Sequence, residues 1–101
     1  MKLPPFKKLV VKEIKKYNWN DRVAQAVFTG ESGLNARAVS PTGDYGIAQI
    51  NMRTWNGHYG LNYKNVFNYK KNISVAYQIY KNRGNFSAWT VYNSGAYRRY
   101  L

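Results

Sequence analysis

The chain has 101 residues, with 16 lysines and arginines against four aspartates and glutamates and a formal net charge of +12. That length gives one domain, 1–101, and excludes two; roughly 60 to 65% of the unfolded surface can be buried on folding at this size, enough for one core. Without cysteine and with one histidine, His58, the sequence excludes a disulfide framework and a thiolate metal site, and it leaves a histidine metal centre or a Ser-His-Asp triad short of partners. No metal and no cofactor are expected.

From Phe6 the apolar residues Leu9, Val10, Ile14 and Tyr17 recur at three- and four-residue steps with lysines opposite. This predicts an amphipathic helix after Pro4-Pro5 that docks on the core; a basic helix of this kind also suits an anionic membrane, but core packing is the expected use in so small a domain. Asp21 is placed to cap a second helix through Val23, Ala24, Val27 and Phe28, with Gly33 as its stop. Ser40-Pro41-Thr42-Gly43 reads as a turn, and Asp44 to Asn51 as a short strand or extended loop. Ile73, Ala76, Tyr77 and Tyr80 predict a third helix ending near Gly84, and Ala88–Tyr92 and Ala96–Tyr100 two short ones broken around Gly95. Asn18, Asn20, Asn65, Asn68 and Asn85 read as caps and turns.

Near the amino terminus the longest apolar run is Leu9-Val10-Val11, far short of the roughly 7 to 15 residues of a signal-peptide core. No signal peptide is visible, so a protein acting outside the cytoplasm either gets there by another route or is represented here by an excised domain. Basic residues gather at both ends, from Lys2 to Arg22 and from Lys64 to Arg99, whereas between 23 and 63 Arg37 and Arg53 balance Glu31 and Asp44. Such a frame attracts anionic partners: nucleic acid, anionic lipid or acidic wall polymers.

With only Glu13, Asp21, Glu31 and Asp44 available, any carboxylate chemistry must use these four. Glu31 lies four residues after Val27 and three after Phe28, so it continues the apolar face of its helix. Desolvation and the negative end of the helix dipole both raise the pKa of a carboxyl so placed, which suits a general acid. The alternative is a structural glutamate bonded to backbone or arginine. Asp44 follows after a turn, and two such carboxyls facing each other would suit glycoside cleavage; Asp44 could equally be a turn residue bonding nearby amides.

Four segments then occur in order: Glu31-Ser32-Gly33-Leu34-Asn35, Ala38 to Gly43, Gly46-Ile47-Ala48-Gln49-Ile50, and Tyr92-Asn93-Ser94-Gly95. Together they resemble the soluble lytic transglycosylase domain of the lysozyme superfamily. The resemblance implies a mainly α, lysozyme-like α+β fold with a much reduced β-hairpin and a central glycan-binding cleft. It implies cleavage of the β-1,4 bond between N-acetylmuramic acid and N-acetylglucosamine in peptidoglycan. It makes Glu31 the acid/base, Ser40 and Gln49 cleft residues, Tyr92 the tyrosine that hydrogen-bonds the glutamate, and Asn93 beside it a further substrate-binding residue. Asp44 to Asn51 is closer to the matching stretch of c-type lysozymes, where the aspartate is the second catalytic carboxylate and the asparagine contacts an N-acetyl sugar. The missing cysteines and the shorter Glu-to-Asp segment stand against that reading, so the product is open between an anhydro sugar and a hydrolysed end.

Tyr45, Trp55, Tyr59, Trp89 and Tyr92 offer faces for sugar rings, with Tyr45 and Tyr92 favoured because they flank the motifs. The expected partners are peptidoglycan strands and, through the basic surface, the anionic cell envelope; the protein is expected to act on the bacterial wall as a monomer. A nucleic-acid or wall-binding module without catalysis is the competing class. The basic residues avoid the motif-bearing centre and no nucleic-acid-binding motif is evident, so no specific nucleic acid is expected.

Overall fold

The computed structural model describes residues 3–101; the Lys2 member of the amino-terminal basic cluster lies outside the described residues. Helix α1, Pro5–Ile14, begins with proline in its first turn, where a missing N–H costs nothing, and buries Val10, Glu13 and Ile14. It stops short of the expected Tyr17, because the Ile14 carbonyl accepts instead from the Tyr17 N–H at 3.4 Å and the Trp19 indole at 2.8 Å. Glu13 is offset by Lys16 at 2.9 Å, the one ion pair among the described residues.

Helix α2, Asp21–Ser32, is capped by Asn20, whose side chain accepts from the Val23 N–H at 3.1 Å. Asp21 therefore is not the cap: it occupies the first helical position and accepts from Gln25 Nε2 at 3.0 Å. Gly33 ends the helix at φ 65°, a left-handed conformation that favours glycine. The expected turn closes with Gly43 N–H donating to the Ser40 carbonyl at 3.1 Å. Strands β1, Asp44–Tyr45, and β2, Ile50–Asn51, then pair antiparallel with Asp44 opposite Asn51 and Tyr45 opposite Ile50; Val39 adds an isolated bridge to Tyr45.

Helix α3, Met52–Trp55, was not expected from periodicity, and four residues are too few to show one. After a 3-10 turn at His58–Gly60 comes α4, Tyr69–Arg83, capped by Asn68 on the Lys71 N–H at 3.1 Å and ended by Gly84. It starts earlier than the apolar stripe suggests, since its first turn is polar. Helix α5, Thr90–Asn93, and a 3-10 turn at Ala96–Tyr100 complete the chain around Gly95.

One core joins α1, α2, α4 and the loop between the strands. Trp19 sits among Tyr17, Phe28, Tyr77, Tyr80 and Phe86, with ring centroids 5.2 to 5.8 Å apart, so much of the tyrosine content is spent on packing. The 3-10 turn 96–100 and α5 lie against α2, which brings the last motif beside the end of the Glu31 helix. The fold is mainly helical with a two-stranded sheet, as the lysozyme-like expectation required. No helix among the described residues is long and apolar enough to cross a membrane.

Candidate active site

The last turn of α2 carries Glu31 beyond buried Val27 and Phe28. The residue is half-buried, and its carboxylate accepts a long hydrogen bond, 3.5 Å, from the Val91 N–H at the start of α5. Burial lifts the carboxyl above its ordinary value; the Val91 N–H opposes that, and the negative charge of Asp44 adds to it. A carboxyl in this condition keeps its proton to a higher pH and can donate it.

Asp44 is in the opposite condition. Its Oδ2 accepts from Ser40 Oγ at 2.7 Å and Thr42 Oγ1 at 2.6 Å, and its Oδ1 from Asn51 Nδ2 at 3.0 Å. Burial opposes its charge, but the hydrogen bonds from Thr42, Ser40 and Asn51, with the positive charge of Arg53, outweigh burial and hold the carboxyl below its ordinary value. Glu31 is thus inclined to hold a proton and Asp44 to stay ionised, with the charge of Asp44 the smallest of the influences on Glu31.

The loop between the strands, residues 46–49, hangs from three side chains. Ser32 Oγ donates to the Ile47 carbonyl at 2.6 Å. Asn72, fully buried on α4, accepts from the Ala48 N–H at 2.9 Å and donates to the carbonyls of Tyr45 at 3.0 Å and Val66 at 2.9 Å. Trp89 Nε1 donates to the Ala48 carbonyl at 2.7 Å. These bonds hold Gln49 at φ 51°, with its side-chain amide on the carbonyls of Ala38 and Gly46, both at 3.1 Å.

A small cleft of about 80 Å³ is lined by Asp44, Gln49, Ile50, Asn51, Trp55, Ile79, Ala88 and Trp89. Three of the eight expected site residues, Asp44, Gln49 and Asn51, meet there, and Ser40 adjoins through Asp44. Asn51 Oδ1 also accepts from the Thr54 N–H at 3.1 Å, so it caps α3 as well as steadying Asp44. Tyr45 packs away from the cleft against Tyr63 and Phe67, and Asn93 donates to the Ser87 carbonyl at 2.8 Å. No hydrogen bond joins Tyr92 to Glu31 among the described residues: the Tyr92 ring stacks on Tyr97 at 5.1 Å, and the bond to Glu31 comes from its neighbour Val91.

Thr42, Asn72, Trp89 as a donor, and Val91 also build the site, beyond the expected residues. The signal for Asn72 was present: with Ala76 and Ile79 it forms one buried face of α4, so a polar residue stands in an apolar stripe, the pattern that singled out Glu31. Val91 acts through its backbone and leaves no side-chain signal.

The family model described as the transglycosylase SLT domain matches residues 8–99. No curated protein and no solved structure matches the chain. That match spans nearly the whole chain and includes both carboxylates, the loop and α5, so the chain belongs to the transglycosylase SLT domain family, whose activity is directed at peptidoglycan.

Proposed function

We propose that the protein cleaves the β-1,4 bond between N-acetylmuramic acid and N-acetylglucosamine by the transglycosylase route, with Glu31 as the single acid and base. The observation that carries this reading is the contrast between the carboxylates: both oxygens of Asp44 are engaged by Ser40, Thr42 and Asn51, while Glu31 is desolvated and holds one long backbone hydrogen bond. Protonated Glu31 gives its proton to the glycosidic oxygen as the bond to the muramoyl C1 breaks, freeing the N-acetylglucosamine hydroxyl. The resulting Glu31 carboxylate then takes the proton of the muramoyl 6-hydroxyl as that oxygen bonds C1. A 1,6-anhydro ring closes, Glu31 is protonated again, and no water is consumed.

In this reading Asp44 has two tasks. Its charge adds to the burial that raises Glu31 and favours the positive charge that develops on the sugar, and its hydrogen bonds fix the turn carrying Ser40 and the strand carrying Asn51. A hydrolytic muramidase using Glu31 and Asp44 as a pair is the second reading, favoured by the opposite conditions of the two carboxyls, one raised and one lowered. Weighing the fragments released from purified peptidoglycan separates them: anhydromuramoyl ends, one water lighter, support the first and reducing ends the second. Products that persist unchanged with Glu31→Gln contradict both.

A further inference from the structure

Helix α1 has an outer flank that the core does not cover. Leu3, just before the helix, is 44% exposed, Phe6 40% and Leu9 50%, and their three-residue spacing runs them along one side of the segment. Inward of this seam lie buried Val10, Glu13 and Ile14; outward of it stand exposed Lys8, Lys12 and Lys16. Lys8 and Lys12 make no ion pair among the described residues. The only carboxylate of α1, Glu13, is buried and already held by Lys16, so nothing on the helix offsets the outward charge.

The same end of the molecule borders an open groove of about 1030 Å³, with Phe6, Leu34 and Phe67 as apolar walls, Lys7 and Arg37 as cations, and no carboxylate in its lining. Charged seam and groove together present apolar surface rimmed by positive charge. We propose that this face docks the protein on an anionic lipid bilayer, with Leu3, Phe6 and Leu9 entering the headgroup boundary and the lysines meeting lipid phosphates. An acidic polymer or a nucleic acid would need the lysines but not the apolar seam, and the three half-exposed apolar side chains are what favour lipid. Neither Glu31 nor Asp44 belongs to the apolar seam or lines the groove, although the groove wall includes Ser32, the residue after Glu31.

The test is co-sedimentation of the full chain with vesicles of phosphatidylcholine alone or mixed equally with phosphatidylglycerol. Binding should need the anionic lipid, be the same for Glu31→Gln, and weaken about tenfold with Leu3→Ser and Leu9→Ser combined. Lys8→Ala with Lys12→Ala should weaken it to a similar degree, about tenfold, and flatten its salt dependence. Because the chain lacks cysteine, Leu9→Cys can carry one environment-sensitive dye, which should shift to the blue on anionic vesicles; the same dye on exposed Lys64→Cys should not. Vesicle binding unchanged by the two serines, or no dye shift at position 9, would overturn the proposal. So would binding to polyphosphate or DNA without binding to vesicles, which would assign the lysines to an acidic polymer.

Discussion

Asn72 and Gly46 interlock: the side-chain amide of Asn72 occupies the space where a Cβ on residue 46 would stand, and the Val66 carbonyl lies 3.0 Å from the same point. Gly46 also has φ 79°, so the loop needs glycine for its backbone and for its neighbour. Asn72→Ala would leave the Ala48 N–H and the carbonyls of Tyr45 and Val66 without this partner; the expected loss is about 2–4 kcal/mol in urea unfolding. Gly46→Ala should displace Asn72, and should cost more stability than an alanine at exposed, open Gly84.

Trp89→Phe keeps an aromatic ring in the core but removes the indole donor from the Ala48 carbonyl. The expected cost is about 1–3 kcal/mol, because a buried acceptor is left unpaired. With Gln49 on the same loop, the activity of the folded variant should fall with it, and the two losses should be read separately by unfolding and by glycan cleavage.

Asp44→Asn separates the two chemical readings by magnitude. In the one-carboxylate account it weakens the hairpin and removes a nearby charge, so the rate on peptidoglycan should fall by about tenfold or less. A partner in hydrolysis would cost about a hundredfold or more, in the range of Glu31→Gln itself.

The pKa directions give stability predictions of opposite sign. Glu31 is raised in the folded state, so the native state loses stability as pH climbs from the ordinary 4.5 through the raised value. Glu31→Gln should therefore melt higher than the parent at neutral pH, and the gain should vanish below pH 4.5. Asp44 is lowered, so its contribution is present above its ordinary 3.8 and disappears as pH falls through the lowered value; Asp44→Asn should destabilise at neutral pH and not in strong acid. Activity should decline on the alkaline side with a midpoint above 4.5, as Glu31 loses its proton. Melting curves and a pH–rate profile on the same three proteins check these signs.

Local patterns were legible where one face of one helix decides the outcome. The stripe of α2 marked Val27, Phe28 and Glu31, and the structure buries the first two and half-buries the third. Gly33 and Gly84 marked helix ends that the backbone confirms. Less was legible where contacts join distant segments. Asn72 to Ala48, Trp89 to Ala48 and Glu31 to Val91 span 24, 41 and 60 residues, and no local spacing encodes them. Asp44 shows a middle case: a turn residue was foreseen, but its partners are the hydroxyls of Ser40 and Thr42 and the Asn51 amide, chosen by the strand register. Asn20 rather than Asp21 caps α2 because either residue type can cap and only the backbone, extended at Asn20, decides.

In the transglycosylase route one carboxyl, Glu31, cleaves the glycan and the sugar's own hydroxyl completes the reaction. Digestion of purified peptidoglycan in water enriched in heavy oxygen, followed by mass spectrometry of the muropeptides, tests it most directly. Anhydromuramoyl ends that carry no heavy oxygen are expected, and their loss with Glu31→Gln. Reducing muramic acid ends labelled with one heavy oxygen would contradict it and place Asp44 in a hydrolytic pair.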